Sequence, residues 1–131
     1  MNILIVDDLL NNRKLLRDHL KPYGNCDMVS NGMEAIEMFE AELVDGTPYD
    51  LILLDIMMPE LNGQDVLKEI RRIERNHNIP EDNKTIIIMV TAVDSNQNIL
   101  KAFYQGGCND YIVKPFMKED LIKKLQLFKL I

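Results

Sequence analysis

Short apolar runs in this chain end, one after another, in residues able to do chemistry. Asp7 and Asp8 follow Ile3-Leu4-Ile5-Val6, Asp55 follows Leu51-Ile52-Leu53-Leu54, Thr91 follows Ile86-Ile87-Ile88-Met89-Val90, and Lys114 follows Tyr111-Ile112-Val113. Carboxylates gathered in one place repel one another and are costly to keep ionised, so Asp7, Asp8 and Asp55 would make sense around a divalent cation. Oxygen donors alone favour a hard ion, magnesium first and manganese as a substitute. Lys114 would add a positive point charge and Thr91 a hydroxyl donor, both suited to the oxygens of a phosphoryl group. A carboxylate beside such groups can act as a nucleophile toward phosphorus. Asp55 is the candidate, because it stands alone with apolar residues on either side, whereas the adjacent Asp7 and Asp8 read as a metal-binding pair. The chemistry would be mostly positioning and charge stabilisation.

Each of these residues also has an ordinary explanation. An aspartate behind a strand is commonly a turn residue or the cap of the next helix. Thr91 could cap a helix, Lys114 could be a solvated surface cation, and Pro115 could simply start the last helix. Against the ordinary explanations stands the recurrence of the same kind of position at four separate strand ends.

The elements that must bring these residues together are legible in the hydropathy. Continuous apolar runs, with a weaker one over residues 26–30, are what strands covered on both faces require, so they point to a parallel sheet. Helical spacing lies between them: Leu15, Leu16, Leu20 and Tyr23; Ala35, Ile36, Phe39 and Leu43; Val66, Leu67, Ile70 and Ile73; Ile99, Leu100 and Phe103; Leu121, Ile122, Leu125 and Phe128. Breakers such as Gly24, Pro48, Pro59, Pro80, Gly107 and Pro115 separate the units. The pattern is five βα units. Right-handed crossovers with helices on both faces give a doubly wound α/β sandwich, whose ligand site lies beyond the carboxyl ends of its strands.

At 131 residues, 47% hydrophobic and 27% charged, the chain suits one globular domain whose core needs no metal or disulfide. A formal charge of −6 argues against a binder of nucleic acid. Cys26 and Cys108 lack the spacing of a metal or redox site and read as small apolar residues of a reducing compartment. The opening MNILIVDD turns acidic too quickly for a signal peptide, and no apolar stretch reaches membrane-spanning length. The expectation is a cytoplasmic protein without nucleic-acid or membrane partners. His19 and His77 fall in an expected helix or its polar end, away from the strand ends, and read as surface histidines.

Taken with their neighbours, the strand-end residues form a motif set: Asp7-Asp8, then Asp55-Ile56-Met57-Met58-Pro59 with Asn62-Gly63, then Thr91-Ala92, then Asp110-Tyr111 running to Lys114-Pro115-Phe116. Over essentially the whole chain this resembles the receiver domain of two-component response regulators, and more particularly a stand-alone, CheY-like receiver. The resemblance implies a (βα)5, flavodoxin-like fold with strand order 2-1-3-4-5, and a single receiver domain over residues 1–131 with no output domain. It implies Asp55 as phosphoacceptor, Asp7 and Asp8 as the acidic pair around magnesium, and a backbone carbonyl from Met57 to the metal. Thr91 matches the switch hydroxyl, Lys114 the phosphate-contacting lysine, and Tyr111 the aromatic that moves on activation; the Lys114-Pro115 peptide is expected to be cis. The implied phosphodonor is a histidine kinase or a histidine phosphotransfer protein. Phosphorylation would draw Thr91 toward the new oxygens and Tyr111 into the vacated volume, biasing a two-state equilibrium. The affected face would be built from the fourth helix, fifth strand and fifth helix, and would meet a downstream protein or a second copy. Without the resemblance, Tyr111 reads as a half-buried strand aromatic.

Some segments depart from the family pattern. The polar stretch from Glu74 to Lys84 and the loop Asp45-Gly46-Thr47-Pro48 are expected only to lengthen solvent loops. Cys108 stands where a small residue is usual, beside a Gly106-Gly107 pair able to loosen the end of the fourth helix. Met57 and Val93 are apolar at positions that in the family influence hydrolysis of the phosphoaspartate, so a persistent modified state is expected. The chain is then no enzyme apart from chemistry on its own Asp55. Two other classes compete. A magnesium-dependent phosphohydrolase with an aspartyl nucleophile would carry a second acid where Met57 stands, and a flavodoxin-like cofactor carrier would need a phosphate-cradling loop where Asp7-Asp8-Leu9-Leu10 stands.

Overall fold

Strands without polar alternation have no face to give to water, and the sheet is built accordingly. The computed structural model describes residues 1–92 and 107–131; the expected fourth helix around Ile99, Leu100 and Phe103, together with Val93 and Gly106, lies outside the described residues. Five parallel strands, β1 Asn2–Val6, β2 Asn25–Val29, β3 Leu51–Asp55, β4 Ile86–Thr91 and β5 Asp110–Val113, lie in the order β2-β1-β3-β4-β5. Helices α1 Leu10–Leu20, α2 Gly32–Val44, α3 Gly63–Asn76 and a C-terminal helix Lys118–Leu127 cover them. None of the described helices is long and apolar enough to cross a membrane.

The pleat sorts the strand residues into two cores. Leu4, Val6, Ile52, Leu54, Ile87 and Met89 pack with Ala35 and Phe39 of α2 and Val66, Leu67, Ile70 and Ile73 of α3. Ile3, Ile5, Leu51, Leu53, Ile88 and Val90 pack on the other face with Leu16 and Leu20 of α1 and Leu121 and Leu125 of the C-terminal helix. Each of the larger side chains stabilises by roughly 1.5–3 kcal/mol when fully buried, so each described helix is pinned to the sheet by its own apolar stripe. The α1 stripe is narrower than its spacing implies: Leu15 is 50% exposed and Tyr23 sits in a 3-10 turn after the helix.

The polar stretch after α3 is only partly the solvent loop expected of it. Glu74 is buried, and its carboxylate accepts from Arg71 Nη1 (2.7 Å) and from the Thr85 backbone N–H (2.9 Å). Arg71 also donates to the Thr85 and Gly107 carbonyls and to Asn109 Oδ1, which accepts in turn from the Ile87 N–H. This buried network ties the end of α3 to the start of β4 and to the approach to β5. The stretch beyond it, residues 78–84, is half-buried to exposed, and Cys108 is buried as a small apolar residue should be.

Candidate functional site

Strand ends leave their last polar groups without ladder partners, and here those groups meet. Asp55 is the last residue of β3, and Asp7 follows the last residue of β1. Because β1 and β3 pair in register with Val6 beside Leu54, both aspartates arrive at the same edge. Asp7 is 1% and Asp55 5% exposed, with Asp8 nearer solvent, and carboxylate oxygens of the three lie within 4.8 Å of one another. From β5 comes Lys114, whose Nζ stands 3.2 Å from Asp7 Oδ2 and 3.6 Å from Asp55 Oδ2. The Lys114-Pro115 peptide is cis.

Local structure holds the Asp7 and Asp55 carboxylates in place. The Leu9 N–H donates to Asp7 Oδ1 (2.9 Å), which also receives Asn12 Nδ2 at 3.5 Å, and the Met57 N–H donates to Asp55 Oδ1 (3.2 Å). Neither aspartate caps a helix: the residue before α1 is Leu9, which has no side-chain cap bond, and α3 is capped by Asn62, which accepts from the Asp65 N–H. Gly63 opens α3 against the end of β3, where a Cβ would fall 2.2 Å from the Asp55 carbonyl oxygen. Only glycine lets the helix start that close to the acceptor residue.

Burial pushes the Asp55 carboxyl up to about 6; Lys114 pulls it down, Asp7 pushes it up, the Met57 N–H lowers it and Asp8 raises it. Among the described residues, three carboxylates stand against the single Lys114 ammonium, which leaves the cluster short of positive charge. Three oxygen donors within reach of one another and short of positive charge are the donor set of a hard divalent cation, so the residues fit magnesium.

Other sequence candidates lie at or beyond the edge of this cluster. Thr91 ends β4 one residue past Val90, the register partner of Asp55, and its hydroxyl donates to the Ala92 carbonyl (3.3 Å). Tyr111 lies farther back, opposite Met89, packed against the α2–α3 core with Lys124 Nζ 5.8 Å from its ring centroid. Met57 leans outward at the rim, 64% exposed. His77 follows α3 at the end remote from Gly63, beside Glu40, and is not part of the cluster. Sequence reading missed Arg13, whose Nη1 donates to the Asp7 carbonyl (2.7 Å). The available signal was its place in the first turn of α1, six residues after Asp7, where a long side chain can reach back to the strand end.

A family model described as the response regulator receiver domain matches residues 3–126. The transcriptional regulatory protein ResD of Bacillus subtilis (strain 168) is 39% identical over 126 residues, 95% of this chain and 46% of ResD, so the chain spans less than half the length of that relative. Among solved structures, the receiver domain of Ssk1 from Saccharomyces cerevisiae, crystallised with the histidine phosphotransfer protein Ypd1, is 30% identical with a TM-score of 0.81, the match covering 98% of this chain and 88% of that one. The receiver domain of the sensor histidine kinase PA1611 from Pseudomonas aeruginosa PAO1, with magnesium coordinated in its active site cleft, is 31% identical with a TM-score of 0.76, over 97% and 95% of the two chains.

Proposed function

This chain belongs to the CheY-like response regulator receiver domains, phosphoacceptors of two-component signalling, and on that premise we propose that Asp55 accepts the phosphoryl group. The observation that carries the assignment is the meeting of three carboxylates and the Lys114 ammonium at one strand edge. Asp7, Asp8 and Asp55, with the Met57 carbonyl, would hold magnesium, and manganese would substitute. The bound ion would supply the positive charge that lets an anionic phosphoryl group approach ionised Asp55.

The chain's own residues do the rest. The Met57 N–H fixes one Asp55 oxygen, leaving the other, which faces Lys114, to attack phosphorus. An oxygen–phosphorus bond forms as the donor's nitrogen–phosphorus bond breaks, the electron pair leaving with the donor imidazole. Lys114 stabilises the added charge, and Thr91 is the hydroxyl that would turn toward it. The donor is a histidine kinase or histidine phosphotransfer protein, a reading supported by the Ssk1 receiver's partner. Output runs through a protein partner or a second copy at the face of β5 and the C-terminal helix. Residues 1–131 act as one receiver domain, working in the cytoplasm.

The test is intact-mass measurement after incubation with magnesium and a small acyl phosphate. One added phosphoryl group per chain, present with magnesium and absent with a chelator, is the expected result. Rapid consumption of the donor without an adduct would instead mark a phosphohydrolase. That alternative is disfavoured by Met57 standing where its second acid would be.

The lifetime of the adduct is a separate expectation. Met57 lies at the open rim and offers no hydrogen bond to orient an attacking water. Replacing Met57 and Val93 together with polar residues is expected to shorten the phosphoaspartate half-life by about tenfold, since water positioning is what they would restore. A half-life the same in both proteins, followed by loss of the adduct mass after donor removal, would count against this.

A further inference from the structure

We propose that Arg13 is a positioning residue for the acidic pair, acting through the backbone of Asp7 to set the affinity of the metal site. The proposal rests on the reading of Asp7 and Asp8 as metal ligands.

Asp7 is held on every side. Its N–H donates to the Val29 carbonyl (3.3 Å), one carboxylate oxygen takes the Leu9 N–H and Asn12, and the other faces Lys114. The remaining polar atom is its carbonyl, which lies past the last β1 residue and is taken by Arg13 Nη1 at 2.7 Å from the first turn of half-buried α1. A charge-assisted bond of this length is strong and directional. It closes a ring from the strand end, through the Asp7 backbone, to the helix that follows, and so limits the rotation of the Asp7-Asp8 peptide that aims both carboxylates.

A guanidinium near three carboxylates can act in two opposite ways. As a charge it would repel an incoming divalent cation and weaken binding; as a hydrogen-bond anchor it would hold the ligands ready and strengthen binding. The geometry favours the anchor. Arg13 spends its contact on the Asp7 backbone carbonyl, 2.7 Å away, and leaves the carboxylate oxygens of Asp7 to Leu9, Asn12 and Lys114.

The test titrates magnesium by calorimetry into metal-free wild type, Arg13→Met and Arg13→Lys, and follows phosphorylation from a small acyl phosphate against magnesium concentration. Arg13→Met is expected to raise the magnesium dissociation constant about tenfold, with Arg13→Lys recovering part of the loss. Half-saturating magnesium for phosphorylation should shift by the same factor, and the rate at saturating magnesium should return to that of wild type. Unchanged or tighter magnesium binding in Arg13→Met overturns the proposal. So does a lowered rate at saturating magnesium with normal affinity, or a fall in Tm in chelator shared by both variants without a difference in affinity. A wild type that binds no magnesium sinks the underlying reading as well, which separates the two failures.

Discussion

In magnesium and a small acyl phosphate, the Asp55→Asn chain is expected to gain no phosphoryl group, and the same substitution is expected to stabilise the metal-free protein at pH 7 by about 2 kcal/mol. The first effect follows from chemistry, because an amide is no nucleophile toward phosphorus and, among the described residues, no second carboxylate is placed as Asp55 is, between Lys114 and the Met57 N–H. The second follows from burial. The folded protein holds the Asp55 carboxyl at about 6, against an ordinary value of 3.8. An acid raised in this way stabilises the fold fully below the unfolded value and loses that contribution as pH rises through the folded one. Metal-free wild type should therefore lose stability between about pH 4 and pH 6, and Asp55→Asn should not. A shift of about two units corresponds to roughly 3 kcal/mol, and solvent at the Asp8 side of the cluster screens it toward about 2 kcal/mol. Urea unfolding in chelator at pH 4 and pH 7, beside intact-mass measurement, checks both halves. Equal stability of the two proteins at pH 7, or an adduct retained by the variant, would refute the assignment of Asp55 as the strained acceptor.

The second large effect concerns a part of the molecule that takes no share in the chemistry. Glu74→Ala is expected to destabilise the protein by about 3–5 kcal/mol, because it leaves the Arg71 guanidinium buried without its charge partner and the Thr85 N–H without an acceptor. Against a total of roughly 5–15 kcal/mol for a domain of this kind, that brings the variant close to unfolding at ordinary temperature. Arg71→Met combined with Glu74→Leu should recover much of the loss, since two apolar side chains leave no unpaired charge. The Gly107 and Thr85 carbonyls would still lose a donor, so recovery should be incomplete. Urea midpoints for the singles and the double decide the matter; a Glu74→Ala loss under about 1 kcal/mol would mean the network is an ornament of the surface.

Much of this architecture was written in local pattern. A strand buried on both faces must be apolar throughout, so Leu51 to Leu54 and Ile86 to Val90 announced a parallel sheet, and the βα alternation left few ways to wind it. The acidic and basic residues behind those runs were legible as site candidates because strand ends in such a sheet share one edge. Spacing also located the α3 stripe of Val66, Leu67, Ile70 and Ile73, all of which are buried.

What pattern could not reach were the contacts between polar residues far apart in the chain. Glu74 looked like the first member of a polar, solvated stretch and Arg71 drew no reading at all, and only the folding of Gly107 and Asn109 against the end of α3 turned the two into a buried pair. Leu15 looked like core because a helical stripe carries no information about how wide a face the sheet will accept, and the contact admitted Leu16 and Leu20 alone. Arg13 declared nothing by itself, since its partner is a backbone carbonyl, which every residue has. The residue types and the edge they occupy were thus settled by hydropathy and order along the chain, both local properties. The distances among Asp7, Asp55 and Lys114, the lift in the Asp55 carboxyl and the burial of Glu74 were settled by tertiary packing, because they depend on which desolvated groups end up within a few ångströms of each other.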